Sequence, residues 1–422
     1  MNSNSIKTPF GRLVAGICIG SFGQVLALIV PTALLLTIKL AMLDPENVTR
    51  NFSLVAIMGA PAAIFGQYLA GYISDRTSWN FGRRRPWILI GAITGSILLY
   101  GVGASKTFVT ICLFWALASF MLNFVSCALN ALIPDQVPEN KRGTASGLIG
   151  VVSPLGIMIG INIMLLLNSW TIEQKFLLLG IICVVCAIIS CILIKESKVE
   201  YKKSGSTDSL TFGEKMSRIY PSPRKHPSFT YGVLTRFFMA IAYASASYTS
   251  VYFMEHFHVA PEDLTGIVSL SMNITIPLLA VSSILGGILS DKIGRQKPFV
   301  LLSAIVTAIG ILGYSFAPSI PYTFVCGAIV SLGFGMFLAV DIALMARILP
   351  HPEDAAKDMG LVNVANSIGS PITNAIASPL VSAGGYPLFF GVLSVFAVLA
   401  GVAVKPIPEV ERNSDPNVTI AQ

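Results

Sequence analysis

Gly71-Tyr72-Ile73-Ser74-Asp75-Arg76, followed by Gly82-Arg83-Arg84-Arg85-Pro86, returns later in the chain as Gly287-Ile288-Leu289-Ser290-Asp291-Lys292, followed by Gly294-Arg295-Gln296-Lys297-Pro298. The leading glycines stand 216 residues apart (287 − 71 = 216), and so do the aspartates at 75 and 291. The chain has 422 residues, so the offset is close to half its length, and the chain reads as one half written twice. Each copy sits between long apolar segments, where a cationic loop belongs at a membrane surface. A duplicated membrane bundle with matched basic loops has the outline of a secondary transporter.

Composition agrees. Hydrophobic residues make up 54% of the chain and charged residues only 12%, about half the share usual in soluble domains. That is more apolar surface than one soluble core can hide, so lipid is the expected solvent. The net charge of +7 is spread along the flanks of apolar segments rather than gathered in a solvated patch, which argues against nucleic acid. All seven cysteines fall inside apolar segments. Cys183 and Cys186 have C-x-x-C spacing, but no second pair or histidine cluster accompanies them, so packing is the expected role. No metal and no cofactor is expected. No H-E-x-x-H or G-x-S-x-G is present, and the chain is not expected to be an enzyme.

Twelve apolar segments have membrane-crossing length, roughly 13–38, 51–74, 87–104, 108–132, 143–167, 175–195, 229–254, 265–289, 299–316, 322–348, 359–383 and 387–404. The expected fold is therefore an all-α membrane protein of twelve transmembrane helices in two six-helix pseudo-repeat bundles. Residues 1–195 form one bundle, 196–228 a cytoplasmic linker, and 229–422 the second bundle with a short tail. With both termini inside, only Lys39, Arg50, Lys106 and Lys175 of the 28 lysines and arginines lie toward the outer side. That asymmetry sets the expected orientation in the cell membrane. In the linker, Thr211-Phe212-Gly213-Glu214 reads as a capping box; a short helix on the inner leaflet and a flexible tether are both open. Asn47-Val48-Thr49 and Asn51-Phe52-Ser53 match the glycosylation pattern but hug the membrane.

The repeated loop resembles the signature between helices 2 and 3, and between 8 and 9, of the major facilitator superfamily. The second copy has the usual single residue, Ile293, between Lys292 and Gly294. The first has five, Thr77-Ser78-Trp79-Asn80-Phe81, ahead of Gly82-Arg83-Arg84-Arg85-Pro86-Trp87. That longer form is similar to the glycoside–pentoside–hexuronide cation symporters and the sucrose–proton symporters. The resemblance implies the major facilitator fold, a monomer working by alternating access, and a small-molecule solute carried with a cation. Residues 51–74 hold none of the acidic side chains found in helix 2 of sodium-coupled members, which favours protons.

In the family, charges of these loops latch the two halves on the inner face. Carried over, the latch uses Asp75, Arg76, Arg83, Glu139, Arg142, Asp291, Arg295 and Glu353. Plain positive-inside anchoring is the other reading. Helix 5 carries Gly147, Gly150, Ser153-Pro154 and Gly160, which resembles the antiporter motif of drug exporters. Gly369-Ser370-Pro371 in helix 11 is its repeat, and symmetric occurrence favours a structural kink in both halves.

Scaffold repeats, whereas coupling chemistry need not. Subtracting 216 from Asp341 and Arg236 gives Val125 and Gly20, so the two most deeply placed charges have no counterpart in the first half. Each lies at a depth of ~10 Å by the helical rise. Opposite charges at such depth are expected to pair. Asp341 is either the proton carrier with Arg236 beside it, or half of an inert pair. Lys39 and Glu255 occupy repeat-equivalent outer ends with opposite charge, which fits an outer gate; Lys39 snorkelling to headgroups beside a solvated Glu255 is the alternative. Gln24, Gln67, Asn123, Tyr243, Tyr248, Asn273, Asn363, Asn366 and Asn374 are uncharged polar residues at mid-membrane. Amides and phenols both donate and accept, which suits a hydroxyl-rich solute, although interhelical hydrogen bonds use the same groups.

The expected function is proton-coupled symport of a sugar, glycoside or similar neutral polar solute. Proton-driven export of amphipathic compounds or drugs is the alternative within transport. A transporter-like nutrient sensor is a third reading, and the short tails and linker argue against it.

Overall fold

The computed structural model describes residues 8–79, 81–138, 141–196, 223–224, 226–348 and 355–408. The side chains at 142–144, 291, 342, 343, 346, 355–361, 363, 364 and 366 also fall outside the described set. The expected linker helix at 211–214, together with Glu139 and Glu353, lies outside the described residues.

The described chain is helical. α1 runs over Phe10–Leu43, α2 over Val48–Arg76, α3 over Arg85–Ala104, α4 over Phe108–Gln136, α5 over Arg142–Leu166 and α6 over Ile172–Leu193. α7 begins as Pro227–Tyr243, passes through a 3-10 turn at Ala244–Tyr248 and ends as Thr249–His256. α8 is Pro261–Ile293, α9 Lys297–Ser315 and α10 Ile320–Arg347. The last helical stretch, Ala355–Val404, breaks at Gly384 and Gly385, which divides it into α11 (355–383) and α12 (386–404). Gly385 takes φ of 68°, a conformation open to glycine. Ten described spans are long and apolar enough to cross a bilayer. One of them, Ser367–Val404, contains the Gly384–Gly385 break and so supplies two helices, and the interrupted α7 completes the twelve.

The chain divides into two compact units. The first comprises Met1–Ser204 with Ser247–Met272, so the end of α7 and the start of α8 pack with α1 to α6. The second comprises Gly205–Ala246 with Asn273–Gln422.

In lipid, apolar side chains gain little by meeting one another, so helices associate through close backbone approach and hydrogen bonds. Glycines provide the approach in both units. A Cβ on Gly160 of α5 would stand 2.4 Å from Leu26 of α1, and one on Gly369 of α11 would stand 2.6 Å from Ala240 of α7. Gly369 directly precedes Ser370-Pro371, and Gly160 lies six residues past Pro154. α1 carries a π turn at Pro31–Leu35, in which the Leu36 N–H donates to the Pro31 carbonyl. Proline has no N–H for the usual ladder, and the wider turn absorbs the defect. The second unit has its own apolar core of Met239, Val300, Ala304, Phe337, Val340, Leu344, Ala400, Val404 and Ile407.

The signature glycines take left-handed backbone in both copies, φ 117° at Gly82 and 75° at Gly294. At Gly82 a Cβ would also lie 2.4 Å from a Glu196 carboxylate oxygen. Gly82→Ala therefore combines strain with a clash, and should cost about 1–3 kcal/mol. A lower thermal midpoint for purified Gly82→Ala in detergent, with a smaller drop for Gly294→Ala, is the expected measurement.

Candidate functional site

Three groups of polar side chains stand out from the apolar helices. The first is the signature loop of the first unit. Arg83 Nη2 and Arg84 Nη2 meet the same Asp75 oxygen at 2.6 and 2.7 Å. Arg84 Nε reaches Asp135 Oδ2 at 3.0 Å, with Arg83 at 3.7 Å from that oxygen. Arg84 also donates to the Ser74 hydroxyl and is only 4% exposed, so its guanidinium is the centre of the network. One Glu196 oxygen accepts from the backbone N–H groups of Arg84 and Arg85 at 2.9 and 3.1 Å. These are free donors at the start of α3, where the helix dipole favours an anion. The network thus ties together the ends of α2, α3, α4 and α6.

Its composition differs from the latch expected from the sequence: Arg84, Asp135 and Glu196 are central, and the fold alone brings 84, 135 and 196 together. The anion at the start of α3 is Glu196, while Asp75 is taken by two guanidiniums. Arg76 lies over the Tyr72 ring at 3.7 Å. Three residues of the longer first loop pack onto α3: Trp79 stacks on Trp87, Thr77 accepts from the Trp87 indole at 2.8 Å, and Arg85 covers the Phe81 ring. In the second unit, Gln296 replaces Arg84. Among the described residues the Gln296 amide nitrogen and the Ser290 hydroxyl, the counterpart of Ser74, are buried without a hydrogen bond. Arg295 is exposed. The side chains of Arg142 and Asp291 fall outside the described set.

The second group lies at the other end of the first unit. Tyr248 and Ser53 hydroxyls are 3.0 Å apart, and both residues are buried. Glu255 accepts from the Thr49 backbone N–H at 2.7 Å and from the Thr49 hydroxyl. The Ser250 hydroxyl donates to the Ala33 carbonyl. Ser269 donates to Asn162 Oδ1 at 3.0 Å, and Asn168 donates to the Glu262 carbonyl at 3.1 Å. The end of α7 and the start of α8 are therefore stitched to α1, α2 and α5. Among the described residues no ion pair joins Lys39 to Glu255. Lys39 Nζ donates to the Gly103 carbonyl at 2.5 Å, at the negative end of α3. Glu255 goes to the first turn of α2, at the positive end of that helix. Each charge has found a helix terminus of opposite sign.

The third group lies in the second unit. Arg236 Nε is 3.4 Å from Asp341 Oδ2, with side chains 12% and 2% exposed. Neither Asp341 oxygen, nor Arg236 Nη1, has a hydrogen bond among the described residues. The pair meets beside the core residues Met239, Val340 and Leu344. Tyr243, on the next turns of α7, stacks on Phe334 with planes 6° apart.

The other polar candidates are scattered. Gln67 donates to Asn123 Oδ1 at 2.9 Å, and Asn123 donates to the Ser119 carbonyl, which joins α2 to α4. Gln24 and Asn374 are buried, Asn273 is exposed, and the side chains of Asn363 and Asn366 fall outside the described set.

The Major Facilitator Superfamily model matches residues 10–280 and 232–419. The chain belongs to that superfamily. It is 25% identical over 348 residues to the cis,cis-muconate transport protein of Acinetobacter baylyi, covering 80% of each chain. It is 24% identical over 274 residues to the general alpha-glucoside permease of Schizosaccharomyces pombe, covering 54% of this chain and 49% of the permease. The fold matches a peptide transporter POT in complex with sulfate, with a TM-score of 0.71, 12% identity and 96% of both chains covered. It also matches a bacterial homologue of the human lysosomal transporter Spinster in an inward-facing, unoccupied conformation, with a TM-score of 0.66, 15% identity, and 93% and 95% coverage. The protein is a multi-pass membrane transporter rather than an enzyme.

Two measurements test this geometry. Arg236→Ala or Asp341→Ala leaves a buried charge unpaired, which costs about 3–5 kcal/mol. Each single variant should lose folded yield, and the double variant should recover part of the loss; strictly additive losses would show that the two do not interact. Glu255→Gln removes the charge at the start of α2 and should weaken that end by about 1 kcal/mol. In a cysteine-free background, a cysteine placed at Ser53 should then react faster with a membrane-impermeant thiol reagent.

Proposed function

We propose that the protein is a proton-coupled symporter of the cell membrane for a sugar, glycoside or similar neutral polar solute, working by alternating access as a monomer with both termini in the cytoplasm. The observation that carries the reading is the Arg236–Asp341 pair, buried at 3.4 Å in helices whose repeat counterparts hold Gly20 and Val125. A buried charge pair stabilises a scaffold no better than packed apolar side chains would. It does offer a carboxylate that a proton can discharge, next to a guanidinium that responds to the change. Asp341 is the proposed proton site and Arg236 its counter-charge. Gln24, Gln67, Asn123, Tyr243, Tyr248, Asn273, Asn363 and Asn366 are the proposed solute ligands, with the Tyr243–Phe334 stack offering an aromatic face to a sugar ring.

The five-residue spacer of the first signature loop, similar to that of the glycoside and sucrose symporters, supports a sugar, as does the likeness to the alpha-glucoside permease. The likeness to the cis,cis-muconate transporter across four-fifths of the chain favours a second reading, a small organic anion with Arg236 as its counter-charge. Loop charges Asp75, Arg76, Arg83, Glu139, Arg142, Asp291, Arg295 and Glu353 are proposed to govern the conformational cycle. Lys39 and Glu255 are proposed to act at the outer end, each through the helix terminus it holds in this structure.

Uptake by proteoliposomes, with and without an imposed proton gradient, tests the reading across a panel of labelled sugars and small carboxylates. Gradient-driven accumulation of a sugar is the expected result; a carboxylate would shift the assignment to the second reading. Asp341→Asn should abolish accumulation and leave substrate exchange partly intact, because an amide cannot carry a proton. Normal accumulation by that variant would remove Asp341 from the coupling step.

A further inference from the structure

The end of the first unit opposite the signature loop contains a cavity of about 480 Å³. Leu43 and Asp44 at the end of α1, Arg50 and Leu54 in the first turns of α2, and Lys106 and Phe108 before and at the start of α4 line it. Arg50 and Lys106 are exposed, and neither has a hydrogen bond or ion pair among the described residues. Their placement is unusual for this chain. Of the four cations toward this end, Lys39 and Lys175 are buried, and their ammonium groups go to the carbonyls of Gly103 and Asn168 at 2.5 and 3.4 Å. The two cations left over meet at one cavity.

The carboxylate in the wall is already committed. Asn47 Nδ2 donates to both Asp44 oxygens at 3.2 and 3.1 Å, and Asn51 Nδ2 donates to one of them at 3.1 Å. These side-chain amides, Asn47 first and then Asn51, hold the Asp44 carboxyl below the usual carboxylate range, so it is ionised at neutral pH. Two cations and one carboxylate leave the wall with one net positive charge. The remaining wall is apolar: Leu43 and Leu54 are 39% and 38% exposed, at the level where helix gives way to turn.

We propose that this cavity binds the headgroup of an anionic phospholipid. Arg50 and Lys106 contact the oxygens of its phosphodiester, and Leu43, Leu54 and Phe108 contact the first carbons of its chains. Charge matching favours this ligand. A phosphodiester carries one negative charge, equal and opposite to the wall, whereas inorganic phosphate at neutral pH carries closer to two. A zwitterionic headgroup would bring an ammonium toward two cations. Leucines beside cations also suit a ligand that is charged at one end and apolar at the other. The inference is independent of which solute is transported.

The test is a lipid titration of the delipidated full-length protein in detergent, read by native mass spectrometry, with phosphatidylglycerol, phosphatidylcholine and inorganic phosphate as separate arms. The expected result is a first phosphatidylglycerol that binds saturably and more tightly than phosphatidylcholine. The Arg50→Gln/Lys106→Gln double variant should weaken it about tenfold, at about fivefold or less for each exposed charge contact. Lys405→Gln, which removes a cation elsewhere, should leave it unchanged. Leu54→Glu adds a carboxylate to the wall without touching either cation, and should weaken it in the same direction. Equal binding of phosphatidylglycerol by wild type and double variant overturns the proposal, as does equal affinity for phosphatidylcholine. Displacement of the lipid by an equal concentration of inorganic phosphate would make the site one for a free anion, and would overturn the lipid assignment.

Discussion

A charge in the hydrocarbon layer has no water around it, and every charged side chain of this protein must either stay at a helix end or find an opposite charge. The Arg84 guanidinium shows the first solution. It is nearly enclosed, yet it binds Asp75, Asp135 and Ser74, while Glu196 covers the N–H groups at the start of its helix. Four helix ends are fixed by one set of charge-assisted bonds, in a unit whose helices otherwise associate through close contact and neutral hydrogen bonds such as Gln67 to Asn123. Without the Arg84 guanidinium, Asp75 and Asp135 would share Arg83 alone.

Between those ends the helices are set by small residues and by interruptions. Gly160 brings α5 against α1, and Gly369 brings α11 against α7. The π turn after Pro31 and the 3-10 turn at Ala244–Tyr248 change the direction of side chains along α1 and α7. In α7 the change separates Tyr243, stacked on Phe334, from Tyr248, bonded to Ser53. Two tyrosines five residues apart thereby belong to different compact units.

The two copies of the signature have diverged in chemistry while keeping backbone shape. Gly82 and Gly294 share positive φ, because the turn requires it. Arg84 and Gln296 do not share a role. Charge in the first copy makes a closed network, whereas the Gln296 amide nitrogen in the second is buried without a hydrogen bond among the described residues. The same asymmetry runs deeper at Arg236 and Asp341, which have no counterparts at all.

Much was legible in the chain itself. Helix spans and the repeat follow from apolar length and from matched glycines and aspartates, properties local enough to survive without three-dimensional context. The pairing of Arg236 with Asp341 was also within reach, since two opposite charges at similar depth in an apolar medium have few other partners. What folding alone decided were the partners of charges at helix ends. Lys39 and Glu255 look complementary in the repeat, but each is drawn to a nearer helix terminus, Gly103 at the end of α3 and Thr49 at the start of α2. Asp135 and Glu196 look like ordinary loop carboxylates until the bundle sets them against Arg84. Helix termini carry partial charges that no side-chain pattern displays, and which terminus lies beside which residue depends on how the helices pack.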